Sequence, residues 1–289
     1  MTDAAHSSSG PGRTPVPNVL SIAGTDPSGG AGIQADLKAF SALGAYGMAV
    51  VTSLVAQSTT GVAGIHEVPG WFVVEQLDTL LDDVRVDAVK IGMLGQGGVI
   101  AAVSEVLAAR RLPFVVLDPV MVAKSGHRLL AGEAVDALRG LLSRVDLVTP
   151  NLAEAADLLS SAEARDVEEM ADQACALRAL GAPWVLLKGG HLPGPEAADV
   201  LAGPDGTVVL RAPRIATANT HGTGCTLSAA VAALRPRRTS WPAAVADAKA
   251  YLGGALAAAS RLDVGRGQGP VHHFFDLWPA DAGARDRGA

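Results

Sequence analysis

The sequence predicts an α/β fold in which a central, mostly parallel β-sheet carries helices on both faces. Three observations lead there. Continuous apolar runs rich in Val, Ile and Leu recur along the chain, segments with helical spacing separate them, and 49% hydrophobic against 18% charged residues supplies a large core. Unbroken rather than alternating hydrophobicity marks strands covered on both faces, and strand followed by helix, repeated, marks βαβ units.

The strands are expected at residues 18–23, 48–56, 86–91, 114–117, 146–148 and 184–187. Between them, Ile33, Leu37, Phe40 and Leu43 fall on one helical stripe, and residues 72–81, 99–107 and 135–142 repeat that spacing. After Lys188 the pattern changes to a hairpin, 198–202 and 207–211, joined by the turn formers Gly203-Pro204-Asp205-Gly206. Helices at 223–234 and 241–262 close the fold.

No linker or repeat interrupts residues 18–278, which read as one domain. Residues 1–17 are polar and Pro/Gly/Ser-rich, lack the apolar run of a signal peptide and read as a disordered tail. Residues 279–289 read as a frayed tail. The uncharged stretch 39–65 is long enough to raise a membrane span, but Gly, Ser, Thr and Gln run through it. A buried helix–strand pair is expected instead. A formal charge of −6 offers no basic surface for a nucleic-acid backbone. Two cysteines, Cys175 and Cys225, are too few for a disulfide framework, so a reducing cytoplasm is expected.

Two glycine-rich segments could carry chemistry. Gly24-Thr25-Asp26-Pro27-Ser28-Gly29-Gly30-Ala31-Gly32 joins the first strand to the first helix, where glycines let backbone amides approach a ligand. Read alone it is either an anion cradle or a tight turn. Its spacing fails the dinucleotide fingerprint, and the chain has no G-x-x-x-x-G-K-[ST] phosphate loop. The second, Asn219-Thr220-His221-Gly222-Thr223-Gly224-Cys225-Thr226-Leu227-Ser228, opens an alanine-rich helix. A Gly-x-Gly at a helix start presents unpaired N–H groups and the positive end of the dipole, suited to phosphoryl oxygens. Cys225 lies where that field would lower its pKa, or is a small buried cysteine at a helix start. Cys175, on the apolar face of residues 171–180, is expected to pack. The adjacent His272 and His273 diverge as neighbours and have no third ligand at metal spacing, so they too are expected to pack.

The first segment, extended to Ile22–Asp36, resembles the N-terminal signature of the phosphomethylpyrimidine kinases. So do Lys90-Ile91-Gly92-Met93-Leu94, Thr149-Pro150-Asn151-Leu152-Ala153-Glu154-Ala155, Lys188-Gly189-Gly190-His191, Thr220 to Ser228 and Gly269-Pro270-Val271-His272-His273-Phe274. The resemblance runs in order from about Asn18 to Phe275. It implies a ribokinase-like fold and transfer of the ATP γ-phosphate to 4-amino-5-hydroxymethyl-2-methylpyrimidine and then to its monophosphate, in thiamine biosynthesis. It also implies a possible homodimer.

By the same resemblance, Cys225 is the base in place of the superfamily's usual Asp, and Gly222, Thr223 and Gly224 form the anion hole. Gln57, placed at the end of the second strand, would hydrogen-bond the pyrimidine, since an amide offers both donor and acceptor. Asp36, Met93, Gly24 and Val120 are further acceptor-pocket candidates. Lys188, Asn151 and Thr220 would serve the ATP phosphates. Asp118 and Glu154 would serve magnesium, which needs one or two carboxylates beside phosphate oxygens and waters. Glu154 also reads as a solvated acid in the first turn of a helix. The rivals are a pyridoxal or pyridoxine kinase of the same fold and a catalytically silent binding module. Loss of Cys225, Lys188, Asp118 or Glu154 would mark the second rival, and all four are present.

Overall fold

The computed structural model describes residues 15–121 and 134–279. The expected tails, apart from residues 15–17 and 279, lie outside the described residues. In chain order the elements are β1 (Asn18–Ala23), α1 (Gly32–Ala42), β2 (Tyr46–Val51), β3 (Ser53–Ser58), β4 (Gly61–Glu67), α2 (Gly70–Asp83) and β5 (Ala88–Ile91). They continue with α3 (Gly97–Ala109), β6 (Val115–Leu117), α4 (Ala134–Leu141), β7 (Leu147–Val148), α5 (Leu152–Leu159) and α6 (Val167–Ala179). The last are β8 (Trp184–Lys188), β9 (Glu196–Gly203), β10 (Gly206–Pro213), α7 (Thr223–Leu234) and α8 (Trp241–Ala257).

Among the described residues eight strands form one sheet in the order β10-β9-β8-β7-β6-β5-β1-β2. Pairing is parallel from β2 through β8, and the hairpin β9–β10 adds antiparallel strands at one edge. Successive side chains on a strand point to opposite faces. Leu20, Ile22, Val89, Ile91, Val115 and Leu117 therefore enter a core shared with α2 through α6, while Val19, Ala88 and Val116 enter a second core shared with α1, α7 and α8. The same parity puts Ser21, Lys90 and Asp118 on the α1/α7 face. They sit on adjacent strands near the C-terminal ends, where open α/β sheets place their ligands.

Two expectations are corrected. The strand expected at 48–56 ends at Val51; the chain turns at Thr52 and rises into β3 and β4, a separate two-stranded sheet. Exposure alternates along β3, and only Ser53 and Val55 of the pair are buried, so this segment has one covered face where the sheet strands have two. The hairpin turn is Thr59-Thr60, without the Asn-Gly or Asp-Gly signature that announces a tight turn. The helix expected to reach Leu262 ends at Ala257, and a single 3₁₀ turn, Ala259–Arg261, follows. Among the described residues no helix is long and apolar enough to cross a membrane.

Candidate active site

Both glycine-rich segments sit at C-terminal strand ends and press on each other. Asp26 organises the first: its carboxylate accepts from the backbone N–H groups of Ser28, Gly30 and Ala31 (2.9, 3.1 and 2.8 Å) and from the Ser28 hydroxyl (2.7 Å). It also meets His221 Nε2 of the second segment at 2.7 Å. Burial alone would raise its pKa, but the bonds from His221, Ser28 and Ala31 outweigh burial and bring it to about 2. The backbones leave no room between them. A Cβ on Gly222 would lie 1.7 Å from the Gly30 carbonyl oxygen, and one on Gly30 would lie 2.2 Å from the His221 ring. Gly222 is also the N-cap of α7 with a φ of 75°, the left-handed region that side chains resist. Past it, first-turn amides of α7 have no partner within the helix and face a cavity of roughly 390 Å³.

Lys188, at the end of β8, reaches that cavity and donates to Asp118 Oδ1 at 2.8 Å. Thr149 Oγ1 donates to the same oxygen at 3.2 Å. Burial opposes the charge on Asp118, yet Lys188 and Lys90 hold its carboxyl below the ordinary range. Asn151 lies beside Lys188 because the chain pairs there, with Lys188 N–H donating to the Pro150 carbonyl at 2.8 Å. Asn151 caps α5 and closes a capping box: its Oδ1 accepts from Glu154 N–H, and Glu154 Oε2 accepts from Asn151 N–H. Glu154 is therefore not the solvated first-turn acid. It is 7% exposed, and burial raises its pKa to about 7, with Lys188 opposing and Asp118 adding to the rise.

Gln57, Gly24, Met93 and Val120 line the cavity, as do Thr220, Thr223 and Gly224. Gln57 comes from the β3–β4 hairpin and not from a strand of the main sheet. Asp36 is corrected: it is fully buried beneath the cavity, where its Oδ2 accepts from Lys90 Nζ at 2.8 Å and from Ser21 Oγ at 2.6 Å. Lys90, equally buried, is the residue that reasoning from the sequence left without a role. A lone lysine inside an apolar strand was the available signal. Asp26 and His221 were missed for another reason, since a contact across 195 positions leaves no local pattern.

Cys225 lines the cavity at the start of α7, but its expected low pKa is overturned. Burial raises the thiol from 9.0 to about 11; Lys90 pulls it down, Asp118 and Asp36 push it up, and a bond from the Gly32 backbone lowers it. Cys175 is corrected as well: it is exposed, not packed. His272 and His273 are buried; His273 Nε2 meets Thr226 Oγ1 at 2.9 Å, and the His272 ring lies edge-on to Trp278.

A cradle of helix-start amides, a lysine and two carboxylates around one cavity on a ribokinase-like sheet defines a small-molecule phosphotransferase. Residues 26–272 match the family model described as phosphomethylpyrimidine kinase. The chain is 55% identical over 262 residues to the hydroxymethylpyrimidine/phosphomethylpyrimidine kinase of Escherichia coli K12, covering 90% of this chain and 98% of that one. It is 47% identical over 268 residues to the thiamine biosynthesis bifunctional protein ThiED of Geobacter sulfurreducens, covering 91% of this chain and 54% of that one. The ADP complex of Bacillus subtilis pyridoxal kinase superposes with a TM-score of 0.82 at 35% identity, over 90% of this chain and 98% of that one. This chain belongs to the phosphomethylpyrimidine kinase family.

Proposed function

We propose that the protein transfers the γ-phosphoryl group of ATP to the hydroxymethyl group of 4-amino-5-hydroxymethyl-2-methylpyrimidine, and then a second phosphoryl group to the monophosphate, in thiamine biosynthesis. The observation that carries this is the convergence of Cys225, the Gly222–Gly224 amides, Lys188 and Asp118 on one cavity, in a chain more than half identical to a kinase of that name. The α7 amides and Lys188 hold the oxygens of the transferring group, which disperses the charge that grows there. Cys225 accepts the proton of the attacking hydroxyl. Gln57 pairs with the aminopyrimidine edge from the hairpin.

Asp118 and Glu154 are proposed to serve magnesium. Among the described residues no three His, Cys, Asp or Glu side chains gather to hold a metal by themselves. Two carboxylates beside a phosphate cradle suit an ion that keeps its waters and shares phosphate oxygens. Magnesium there would supply charge neutralisation on the phosphates.

The test is a coupled assay with the hydroxymethylpyrimidine, its monophosphate and pyridoxine in parallel. Turnover of the first two is expected to exceed that of pyridoxine, and the reverse order would sink the proposal in favour of a vitamin B6 kinase. In the same assay Gln57→Ala is expected to raise the apparent KM for the pyrimidine by about tenfold, the scale of one lost hydrogen bond to a buried group. The KM for ATP should stay put. An unchanged pyrimidine KM would reject the role of Gln57.

Glu154 gives a test that needs no substrate. Its folded pKa of about 7 stands above the ordinary 4.5, so its protonated form stabilises the fold at low pH and that contribution is lost as pH rises through 7. Glu154→Gln keeps an acceptor for the capping box and removes the buried charge. It is expected to stabilise the free protein at pH 8 by about 2 kcal/mol, or about 4 °C in Tm, with the gap narrowing at pH 5. Equal Tm values at pH 8 would show that Glu154 is not charged in the free protein. The same variant should lose activity with magnesium–ATP.

The proposal includes a cytoplasmic setting, supported by two cysteines that stay free thiols. It also includes a homodimer, supported by the apolar side chains exposed on β3, β4 and α2: Leu54, Ile65, Trp71 and Phe72. Sedimentation as a monomer at micromolar concentration would remove the dimer.

A further inference from the structure

The β3–β4 hairpin carries Gln57, and within its own chain little holds it. An isolated two-stranded ribbon is marginal in water, and here most side chains of both strands are exposed or half-buried. Its base is secured: Thr25 N–H donates to the Ser53 carbonyl and Val55 N–H to Thr25 Oγ1, both at 3.0 Å, and Thr52 Oγ1 donates to the Met93 carbonyl at 2.7 Å. These bonds lie below Gln57. A side chain that must present an amide to a ring edge needs an anchor on the other side as well.

That anchor is the segment 265–270, which runs past the hairpin tip. Gly267 N–H donates to Thr59 Oγ1 and Gln268 N–H donates to the Thr59 carbonyl, both at 3.1 Å. The fit excludes a side chain at Gly265 and at Gly267. A Cβ on Gly265 would lie 2.1 Å from Thr59 Oγ1, and one on Gly267 would lie 2.1 Å from the Thr59 carbonyl oxygen. Two residues later the strap meets the second glycine-rich segment. The Gly269 carbonyl accepts from His221 N–H at 3.0 Å, Pro270 bridges to His221, and a Cβ on Gly269 would lie 2.4 Å from Asn219 Oδ1. The hairpin tip and the start of α7 are thus tied to one short piece of backbone.

We propose that Thr59 and the strap 265–270 are positioning elements for acceptor recognition: they fix the hairpin over the cavity and set the distance between Gln57 and the phosphoryl cradle at Gly222. This rests on the reading of Gln57 as the pyrimidine-binding residue. It adds that the acceptor site is completed by residues more than 200 positions further along the chain, none of which lines the cavity. The strap is exposed from Gly265 to Gln268 and buried from Gly269 onward. A substitution at Gly267 therefore perturbs the latch without entering the core.

The experiment compares Gly267→Ala with Gly64→Ala. The second places a methyl on the same hairpin where nothing lies within 4 Å. Both variants of the full chain are examined by deuterium exchange over residues 53–67, by thermal unfolding and by the KM for each substrate, with Gln57→Ala in parallel. Gly267→Ala is expected to speed exchange in the hairpin and raise the pyrimidine KM by about tenfold, as one misplaced hydrogen-bonding group would. ATP KM and Tm should stay close to those of Gly64→Ala. Thr59→Val, which keeps the shape and removes the hydroxyl acceptor, should move exchange and pyrimidine KM in the same direction by less. Hairpin exchange equal to that of Gly64→Ala overturns the latch, whatever Gln57→Ala does. Faster exchange with an unchanged pyrimidine KM, while Gln57→Ala raises it, overturns the positioning role. If Gln57→Ala is itself silent, the reading of Gln57 has failed, and faster exchange still establishes the latch.

Discussion

Cys225→Ser is expected to lower turnover of the hydroxymethylpyrimidine by about 10²–10⁴-fold, the usual worth of general-base help, with ATP affinity retained. A serine hydroxyl fills nearly the same space at the start of α7 but cannot hold a proton-accepting anion in this pH range. The raised thiol pKa sharpens the expectation. Because burial holds Cys225 near 11, the free enzyme carries a neutral thiol at pH 7, and the thiolate fraction grows about tenfold per pH unit up to that value. Wild-type kcat/KM should therefore climb from pH 8.5 to 10, above the range where Glu154 titrates, and the serine variant should stay flat. Alkylation gives a second readout. Exposed Cys175 should react first at pH 7, and Cys225 should react slowly and be shielded by ATP. Near-normal turnover in Cys225→Ser, or a wild-type profile as flat as the variant's, would remove Cys225 from the role of base.

Gly222→Ala is expected to do comparable damage by a different route. The added methyl would lie 1.7 Å from the Gly30 carbonyl oxygen, on a residue held at a φ of 75°. The left-handed conformation alone costs an alanine about 1–2 kcal/mol, and the clash forces the two glycine-rich segments apart. Displacing the cradle amides by about 1 Å should lower kcat about 10²-fold. Gly140→Ala in α4 is the control, since open space surrounds that position. If both variants keep the same kcat and Tm, the contact between the two segments does not set the geometry of the cradle.

Most of the architecture was legible because it depends on short-range pattern. Strands β1, β6 and β8 and helix α7 lie within a residue of where apolar runs and helical spacing put them. The β9–β10 hairpin follows from its turn residues, although its strands run a few residues longer than expected. The family resemblance was legible for the same reason, since its motifs are contiguous strings. The departure of the chain at Thr52 was not. Apart from Thr52 and Ser53, residues 51–56 continue the apolar run of β2, and the lack of a covering layer on one face of 53–58 makes them a free-standing ribbon.

At the site, the sequence by itself determined which groups are available: the glycine-rich segments, Cys225, Lys188, Asp118, Glu154 and Gln57. Their states were decided by the tertiary structure. Asp36 became the buried partner of Lys90 because α1 packs on β1, which lies beside β5 in the sheet. Cys175 stayed in solvent because its side of α6 is uncovered. The thiol of Cys225 was pushed up, against the local field of its own helix, by burial and by carboxylates at Asp118 and Asp36 more than 100 positions away. Periodicity and turn chemistry act between neighbours in the chain and can be read from it. Desolvation and Coulomb interactions act between neighbours in space, which exist only once the sheet and its two helical layers have closed around the cavity.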